Sequence, residues 1–152
     1  MKPLVVTLDF LEFPRDTLCS GGTGSPRITL KELDPAAKSL AVMAFNPFIK
    51  TCCSFSPWLI WNLPPGPVIP SGIPNDPVVE IPVRALQGRN DFGTIGYTGP
   101  CPGPGEMQRY AFKVYSLDAM ISLSPGAGKH ELIAALRGHV LQYGETAAVA
   151  TG

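Results

Sequence analysis

The sequence has few charged residues and no excess of either sign. Lys and Arg total 12, Asp and Glu total 12, and the charged residues make up only 16% of the chain, against about 25% in an average protein. A protein that binds nucleic acid through a broad basic face needs a surplus of Lys and Arg. The composition therefore argues against that class, and we expect no nucleic-acid partner.

Long apolar runs are also missing. The longest, such as residues 40–45 and 58–63, fall well short of the roughly 18 consecutive apolar residues that a membrane helix needs. The first apolar stretch is interrupted by Asp9 and Glu12, so it does not resemble the apolar region of a signal peptide. We therefore predict no membrane span and a cytoplasmic location.

Cysteine is scarce too. Cys19, Cys52, Cys53 and Cys101 are too few for a disulfide framework in a chain of this length. The adjacent pair lacks the Cys-x-x-Cys spacing that suits thiol exchange or zinc. We therefore predict reduced thiols, no metal site and no cofactor.

Motifs of known enzymes are incomplete. Residues 126–130 begin like a phosphate loop, but the required earlier glycine and the following Ser or Thr are absent. His130 and Glu131 begin like a zinc-protease helix, yet Ala134 stands where the second histidine ligand belongs. His139, the other histidine, is interpreted as a hydrogen-bonded packing residue. No catalytic residue is predicted, and the chain is expected not to be an enzyme.

The chain does contain short β-type runs between turns, and only one helical segment. The runs cover residues 4–10, 39–45, 58–63, 78–83 and 109–117. In the last run aromatic residues alternate onto both faces, which is typical of a sheet covered on both sides. These runs predict one mainly β domain that spans residues 1–152.

The helical segment lies late in the chain. Leu132, Leu136 and Val140 recur at four-residue spacing, which predicts a C-terminal helix over residues 129–141 with one face on the sheet. The six prolines between residues 64 and 77 predict a long ordered loop. The small residues from Thr146 onward are expected to fray.

Two segments rich in Gly and Pro are more specific. The first reads Gln87-Gly88-Arg89-Asn90-Asp91-Phe92-Gly93, and the second runs from Gly96-Tyr97-Thr98-Gly99-Pro100-Cys101-Pro102 to Gln108-Arg109-Tyr110. Together with Ser25-Pro26, Lys38-Ser39-Leu40-Ala41, residues 58–64 and Gly138-His139-Val140-Leu141, they resemble the phosphatidylethanolamine-binding protein family. The resemblance is to its bacterial and archaeal branch, which is similar to Raf kinase inhibitor protein, and it covers nearly the whole chain.

The resemblance implies a sandwich of two antiparallel β-sheets with a C-terminal helix, and a small pocket for phosphate-like or carboxylate anions. In the family an Asp-Pro-Asp-x-Pro segment, a His before a Trp, a Gly-Pro-Cys-Pro turn and a His-Arg-Tyr triplet line that pocket. Matched position by position, the pocket residues of this chain are Asn46, Pro47, Phe48, Pro57, Trp58, Gly99, Pro100, Gln108 and Tyr110.

The match departs from the family at the titratable positions. Asn46 and Phe48 stand where the resemblance implies two acids, and Pro57 and Gln108 stand where it implies two histidines. Each charge-assisted hydrogen bond from an imidazole to an anion contributes about 1.5 to 3 kcal/mol. The pocket is therefore predicted to hold a phosphate headgroup only weakly.

These observations predict a non-enzymatic module that binds a small anionic or polar ligand weakly, or that acts on a protein partner such as a kinase or a protease. A homodimer is compatible with this prediction. The alternative is a redox or catalytic protein that uses Cys52, Cys53 and Cys101 around the old pocket. No histidine near those thiols is evident as a base, so the alternative has less support.

Overall fold

The computed structural model describes residues 3–19, 24–49 and 54–152. Within these residues nine strands form two antiparallel sheets, accompanied by one α-helix and by a single 3-10 turn at Arg15–Thr17. The elements in chain order are β1 (Val5–Leu8), β2 (Ile28–Lys31), β3 (Ser39–Asn46), β4 (Phe55–Leu63), β5 (Val68–Ile69), β6 (Val78–Val79), β7 (Ala85–Gln87), β8 (Met107–Leu117), α1 (Lys129–Leu136) and β9 (Val140–Thr151).

The two sheets differ in size. The smaller has the strand order β1-β2-β5 and the larger the order β6-β7-β4-β3-β8-β9. The longest pairing joins β8 to β9, from Met107 opposite Thr151 to Leu117 opposite Val140. The predicted class, a mainly β sandwich of two antiparallel sheets with one late helix, is confirmed.

Two apolar clusters cover the two faces of the larger sheet. One lies between the sheets and includes Leu30, Trp58 and Phe112. The other lies under α1 and includes Met43 and Leu132. Burial of each such side chain contributes about 1.5 to 3 kcal/mol. The prediction that β8 is covered on both faces is confirmed, because its alternate residues enter the two clusters.

The helix is shorter than predicted. It begins where the Gly128 N–H donates to the Glu131 side chain at 3.0 Å, and it ends at Leu136 instead of residue 141. Gly138 has a φ of 80°, a left-handed conformation that ends a helix and that glycine adopts at little cost. His139 therefore lies in the following turn, where its Nδ1 is 2.8 Å from Asp118 Oδ1.

The end of the chain does not fray, which corrects the prediction for residues 146 onward. Residues 146–151 pair with residues 107–112 of β8, so their backbone groups are satisfied by the sheet. Gly144 is required in this strand, because a Cβ at that position would lie 2.2 Å from the Leu4 carbonyl oxygen. The missing side chain lets the N-terminal segment cross β9 closely.

The other predicted strand and loop boundaries differ less from the structure. The predicted run over residues 78–83 is a strand only at Val78–Val79, since Pro82 cannot donate to a ladder. The proline-rich loop is confirmed as largely irregular, apart from the two residues of β5 that pair with β2. Strands β2, β5, β7 and β9 were not predicted. Among the described residues no helix is long and apolar enough to cross a membrane.

Candidate functional site

Asn46 ends strand β3 and is fully buried. Its Nδ2 donates to Gln108 Oε1 at 3.3 Å, and its Oδ1 accepts the Phe48 N–H at 3.0 Å. The second bond closes a turn of the kind that Asn forms with the backbone two residues on. Asn46 and Gln108, 62 residues apart in sequence, are thus in direct contact.

Gln108 and Tyr110 lie near the start of β8, two residues apart, and so project from the same face of the sheet. Gln108 is half-buried and Tyr110 buried. Arg109, between them, is exposed and begins on the opposite face. The Arg109 side chain therefore leaves the strand on the face opposite to Gln108 and Tyr110.

The Gly-Pro turn joins this face through Tyr110. The Tyr110 hydroxyl donates to the Thr98 carbonyl at 2.8 Å, and the Thr98 N–H donates to the Pro57 carbonyl at 3.1 Å. Gly99 and Pro100 follow directly and are buried. Pro57, the turn and Tyr110 therefore form one continuous group.

Trp58 lies behind this group, in the core. Its Nε1 donates to Gln87 Oε1 at 2.9 Å, and its ring packs edge-on against Tyr97 with 5.4 Å between centroids. Tyr97 in turn contacts the Tyr110 ring at 6.2 Å. Trp58 and Tyr97 thus support the site from the core side. Tyr97 lies in the motif of residues 96–102 but was not predicted as a site residue.

Pro47 and Phe48 are exposed. Phe48 joins the group only through its N–H bond to Asn46, and no contact of its ring with Gln108 or the turn is seen in the described part of the chain. The structure therefore connects Asn46, Pro57, Trp58, Gln108, Tyr110 and the turn at Gly99 and Pro100, and leaves Pro47 and Phe48 at the edge.

Asn90 organises the loop that leads into the turn. Its Oδ1 accepts the N–H groups of Phe92 and Thr94 at 3.0 and 3.2 Å, and its Nδ2 donates to the Gly96 carbonyl at 2.9 Å. One buried amide therefore holds residues 90–96 in a single conformation. The sequence motif around Asn90 did not predict this role, because the bonded groups lie in a loop whose path the sequence does not show.

Asp91 connects the loop to the helix and to the start of β4. Its Oδ2 accepts the Ser56 N–H at 2.8 Å and lies 2.7 Å from the Lys129 ammonium. Lys129 also donates to the Ser54 carbonyl. The acid and the cation neutralise each other, so this pair leaves no net charge beside Pro57.

The cysteines correct two predictions. Cys19 and Cys101 form a disulfide across 82 residues, so the prediction of reduced thiols is wrong for this pair. The Cys19 N–H also donates to the Pro100 carbonyl at 2.8 Å. Cys101 is therefore not available as a thiolate nucleophile. Cys52 and Cys53, the other residues of the thiol hypothesis, lie outside the described residues.

The two tyrosines at the site remain neutral. Burial raises the pKa of Tyr110 above the ordinary value of 10.0. Burial also raises the pKa of Tyr97 well above that value, and repulsion between the two phenolates that would form at high pH adds to the shift. Both hydroxyls are therefore protonated at physiological pH and keep a hydrogen to donate, which Tyr110 gives to the Thr98 carbonyl. The Tyr97 hydroxyl is buried, and it has no partner within the residues that the structure describes.

The chemistry of the assembled group is neutral and polar. The Gln108 Nε2 has no protein partner in the described ranges, so it and Tyr97 are unused donors, whereas the Asn46 amide and the Tyr110 hydroxyl are engaged. Across residues 3–19, 24–49 and 54–152, no three His, Cys, Asp or Glu side chains are grouped to hold a metal ion. The arrangement suits hydrogen bonding to a small polar molecule.

The Tyr110→Phe substitution tests whether the turn depends on Tyr110. We expect it to lower the free energy of unfolding by about 1 to 2 kcal/mol, because the buried Thr98 carbonyl loses its donor while the ring is kept. Urea denaturation measures the change. Tyr143→Phe is the matched control, since that hydroxyl bonds to Glu145 at the surface and its loss should cost less than about 0.5 kcal/mol. Equal effects of the two variants would contradict this role.

The fold is a two-sheet antiparallel β-sandwich with a group of polar residues beside a Gly-Pro-Cys-Pro turn. The family model for phosphatidylethanolamine-binding protein matches residues 8–151, and this chain belongs to that family. Its members bind small ligands and are in general not enzymes.

Relatives and solved structures agree with this assignment. A UPF0098 protein of Pyrococcus horikoshii is 44% identical over 133 residues, which are 87% of this chain and 67% of the relative. Its counterpart in Pyrococcus abyssi is 43% identical over 133 residues, 87% of this chain and 74% of the relative.

Among solved structures, Escherichia coli YbcL, described as a member of the mammalian PEBP family, has a TM-score of 0.82 at 25% identity, with 99% of each chain covered. A PEBP homolog from Chlamydia trachomatis has a TM-score of 0.80 at 27% identity, covering 97% of this chain and 96% of its own.

Proposed function

We propose that this protein is a non-enzymatic module that binds a small polar or weakly anionic ligand through neutral donors at the site around Asn46, Gln108 and Tyr110. The contact between the Asn46 and Gln108 amides carries the proposal. These side chains stand where the family resemblance implies an acid and an imidazole. They bond to each other without a titratable group and leave the Gln108 Nε2 as a donor.

Weak anion binding follows from the charges at the site. Arg109 starts on the other face of β8, and Lys129 is paired with Asp91. A bound anion would therefore receive hydrogen bonds from neutral groups, each contributing about 0.5 to 1.5 kcal/mol, instead of charge-assisted ones. Phosphatidylethanolamine, which the family name gives as ligand, carries a phosphate that this site would hold less firmly than an imidazole-lined pocket.

The proposal includes a protein partner of the kinase or protease class, as the family resemblance implies. A homodimer is compatible with the proposal.

The cytoplasmic location is also part of the proposal. A disulfide such as Cys19–Cys101 persists in the cytoplasm of hyperthermophilic archaea, whereas in most other organisms it is typical of an oxidising compartment. Fractionation of cells that express the protein tests the location, and recovery outside the cytoplasmic fraction would contradict it.

Calorimetric titration with sulfate tests the site. We expect a dissociation constant in the range of about 1 mM or weaker, and an affinity that stays nearly constant between about pH 5.5 and 8 because no histidine lies at the site. The raised pKa values of Tyr97 and Tyr110 keep both hydroxyls neutral throughout this window. Sulfate is suitable because it does not titrate there.

The double variant Pro57→His with Gln108→His should acquire a pH dependence. Protonation of an imidazole below about pH 6.5 adds a positive charge and a donor, so sulfate affinity should rise by about tenfold as the pH falls from about 8 to 5.5. His139→Gln is the control, since His139 is bonded to Asp118 beyond the far end of β8. A tenfold rise in the unmodified protein would contradict the proposed neutral site.

A further inference from the structure

A cleft lies on the larger sheet, away from the candidate site around Asn46 and Gln108. It has a volume of about 420 Å³ and lies between strands β6 and β7 on one side and Met120 on the other. Pro64 and Pro65, which follow β4, also line it, whereas Pro57 of the candidate site lies near the beginning of that strand. Its volume is within the range of small-molecule pockets, about 300 to 1,000 Å³.

The wall that carries Met120 is held in place by side chains of the sheet. Both atoms of the Asn62 amide bind Ile121, the Oδ1 accepting its N–H at 2.7 Å and the Nδ2 donating to its carbonyl at 3.0 Å. The Ser39 hydroxyl donates to the Ala119 carbonyl at 2.7 Å. Residues 119–121 are therefore fixed from two strands, so the cleft is formed before any ligand binds.

The opposite wall is held as firmly. The Gln87 Nε2 donates to the carbonyls of Pro74 and Asp76 at 2.7 and 2.9 Å, which ties the segment before β6 to the end of β7. Leu86, beside Gln87, lines the cleft and packs on the cluster under α1.

The mouth of the cleft is apolar and open to solvent. Met120 is 61% exposed and Val78 50% exposed, and Ile81, three residues after Val78, is 81% exposed. Exposed apolar side chains grouped around a cleft are typical of a binding surface. Neither the core nor the candidate site around Asn46 accounts for them.

The charged residues of the cleft favour an anion. Lys38 and Arg84 are lining cations and Glu80 is the lining acid, which leaves one positive charge in excess. Arg84 and Glu80 form an ion pair at 3.5 Å whose side chains are 83% and 67% exposed, and such surface pairs are weak. Lys38 has no side-chain partner in the described part of the chain, so its ammonium can meet an incoming carboxylate.

Addition of a peptide strand is the less suitable mode of binding here. The edge strand β6 is only two residues long, and Pro77 and Pro82 flank it. A short edge bounded by prolines is a device that prevents strand pairing. The occupant is then recognised by the cleft itself, through an apolar body and an anionic end.

We propose that this cleft binds a small amphipathic carboxylate, with its apolar chain or ring against Val78, Leu86 and Met120 and its carboxylate near Lys38 and Arg84. The cleft shares no residue with the site around Asn46 and Gln108. The inference therefore stands independently of the proposed function.

Titration of the full chain with octanoate and with its neutral analogue octanamide, followed by NMR at about pH 7.5, tests the inference, because octanoate is fully ionised there. We expect octanoate to bind about fivefold to tenfold more tightly than octanamide. Lys38→Gln should remove this difference, and Met120→Gln should weaken both ligands several-fold. Both positions are exposed, so the fold should tolerate the changes.

Two control variants locate the binding. Lys31→Gln removes an exposed cation from the smaller sheet and should leave octanoate affinity unchanged. Gln108→Ala alters the candidate site and should also leave it unchanged. The inference is overturned if octanoate does not saturate the protein by about 10 mM. It is also overturned if the Lys38→Gln and Met120→Gln variants bind octanoate as tightly as the unmodified protein. A loss of affinity in Gln108→Ala would likewise overturn it, by assigning octanoate to the other site.

Discussion

Replacing both Cys19 and Cys101 by serine is expected to lower the free energy of unfolding by about 2 to 4 kcal/mol. The disulfide joins residues 82 apart in sequence, and a crosslink across so long a loop removes much of the conformational entropy of the unfolded chain. It also holds the residue whose N–H bonds to Pro100. The loss should therefore affect the turn of the candidate site as well as global stability.

Urea denaturation of the oxidised protein, with and without excess dithiothreitol, measures this effect. Reductant should lower the urea midpoint of the unmodified protein to near that of the double serine variant. The midpoint of the variant itself should not change on reduction. The Cys52→Ser with Cys53→Ser variant is the matched control and should keep the full response to reductant. Alkylation of Cys19 and Cys101 in non-reduced, unfolded protein would contradict the disulfide and with it this expectation.

The Gln87→Met substitution is expected to lower the free energy of unfolding by about 3 kcal/mol or more. Gln87 is fully buried, and its amide accepts from Trp58 and donates to two carbonyls that precede β6. Methionine keeps a similar volume but offers no comparable hydrogen bonds, so a buried indole N–H and the carbonyls lose their partner. Strand β6 should also pair less stably with β7.

Chemical denaturation compares this variant with Gln108→Met, which loses one bond of 3.3 Å at a half-buried position and should cost about 1 kcal/mol or less. A double-mutant cycle with Trp58→Phe isolates the bond between the two side chains, and a coupling energy of about 1 kcal/mol is expected. A loss for Gln87→Met no larger than that for Gln108→Met would show that this buried amide does not organise the end of the sheet.

In the last 24 residues the local sequence pattern and the tertiary structure favour different elements. The four-residue spacing of Leu132 and Leu136 correctly predicted the start of α1, because both side chains must face the sheet. The spacing continues to Val140, and there it misled, since Gly138 reverses the chain and Val140 begins a strand. A helix and a strand can share the same short apolar pattern, and only pairing with β8 decided between them.

The candidate site shows the same division. The neutral residue types at Asn46, Pro57 and Gln108 could be read from the sequence, because residue identity does not depend on the fold. The contact between Asn46 and Gln108, the bond from Tyr110 to Thr98 and the role of Asn90 could not, since each depends on how distant segments approach. Binding at this site stays a prediction until the sulfate titration is made.

The sequence by itself determined the mainly β class, the two covered faces of β8, the start of the late helix and the neutral residue types Asn46, Pro57 and Gln108 at the candidate site. These follow from local alternation and from residue identity, which act over a few positions. Only the tertiary structure decided that Cys19 meets Cys101, that the chain ends in a paired strand and that Lys38, Val78 and Met120 line one cleft. Such contacts join residues tens of positions apart, and their free energy comes from packing and hydrogen bonds that exist only after the sheets have formed.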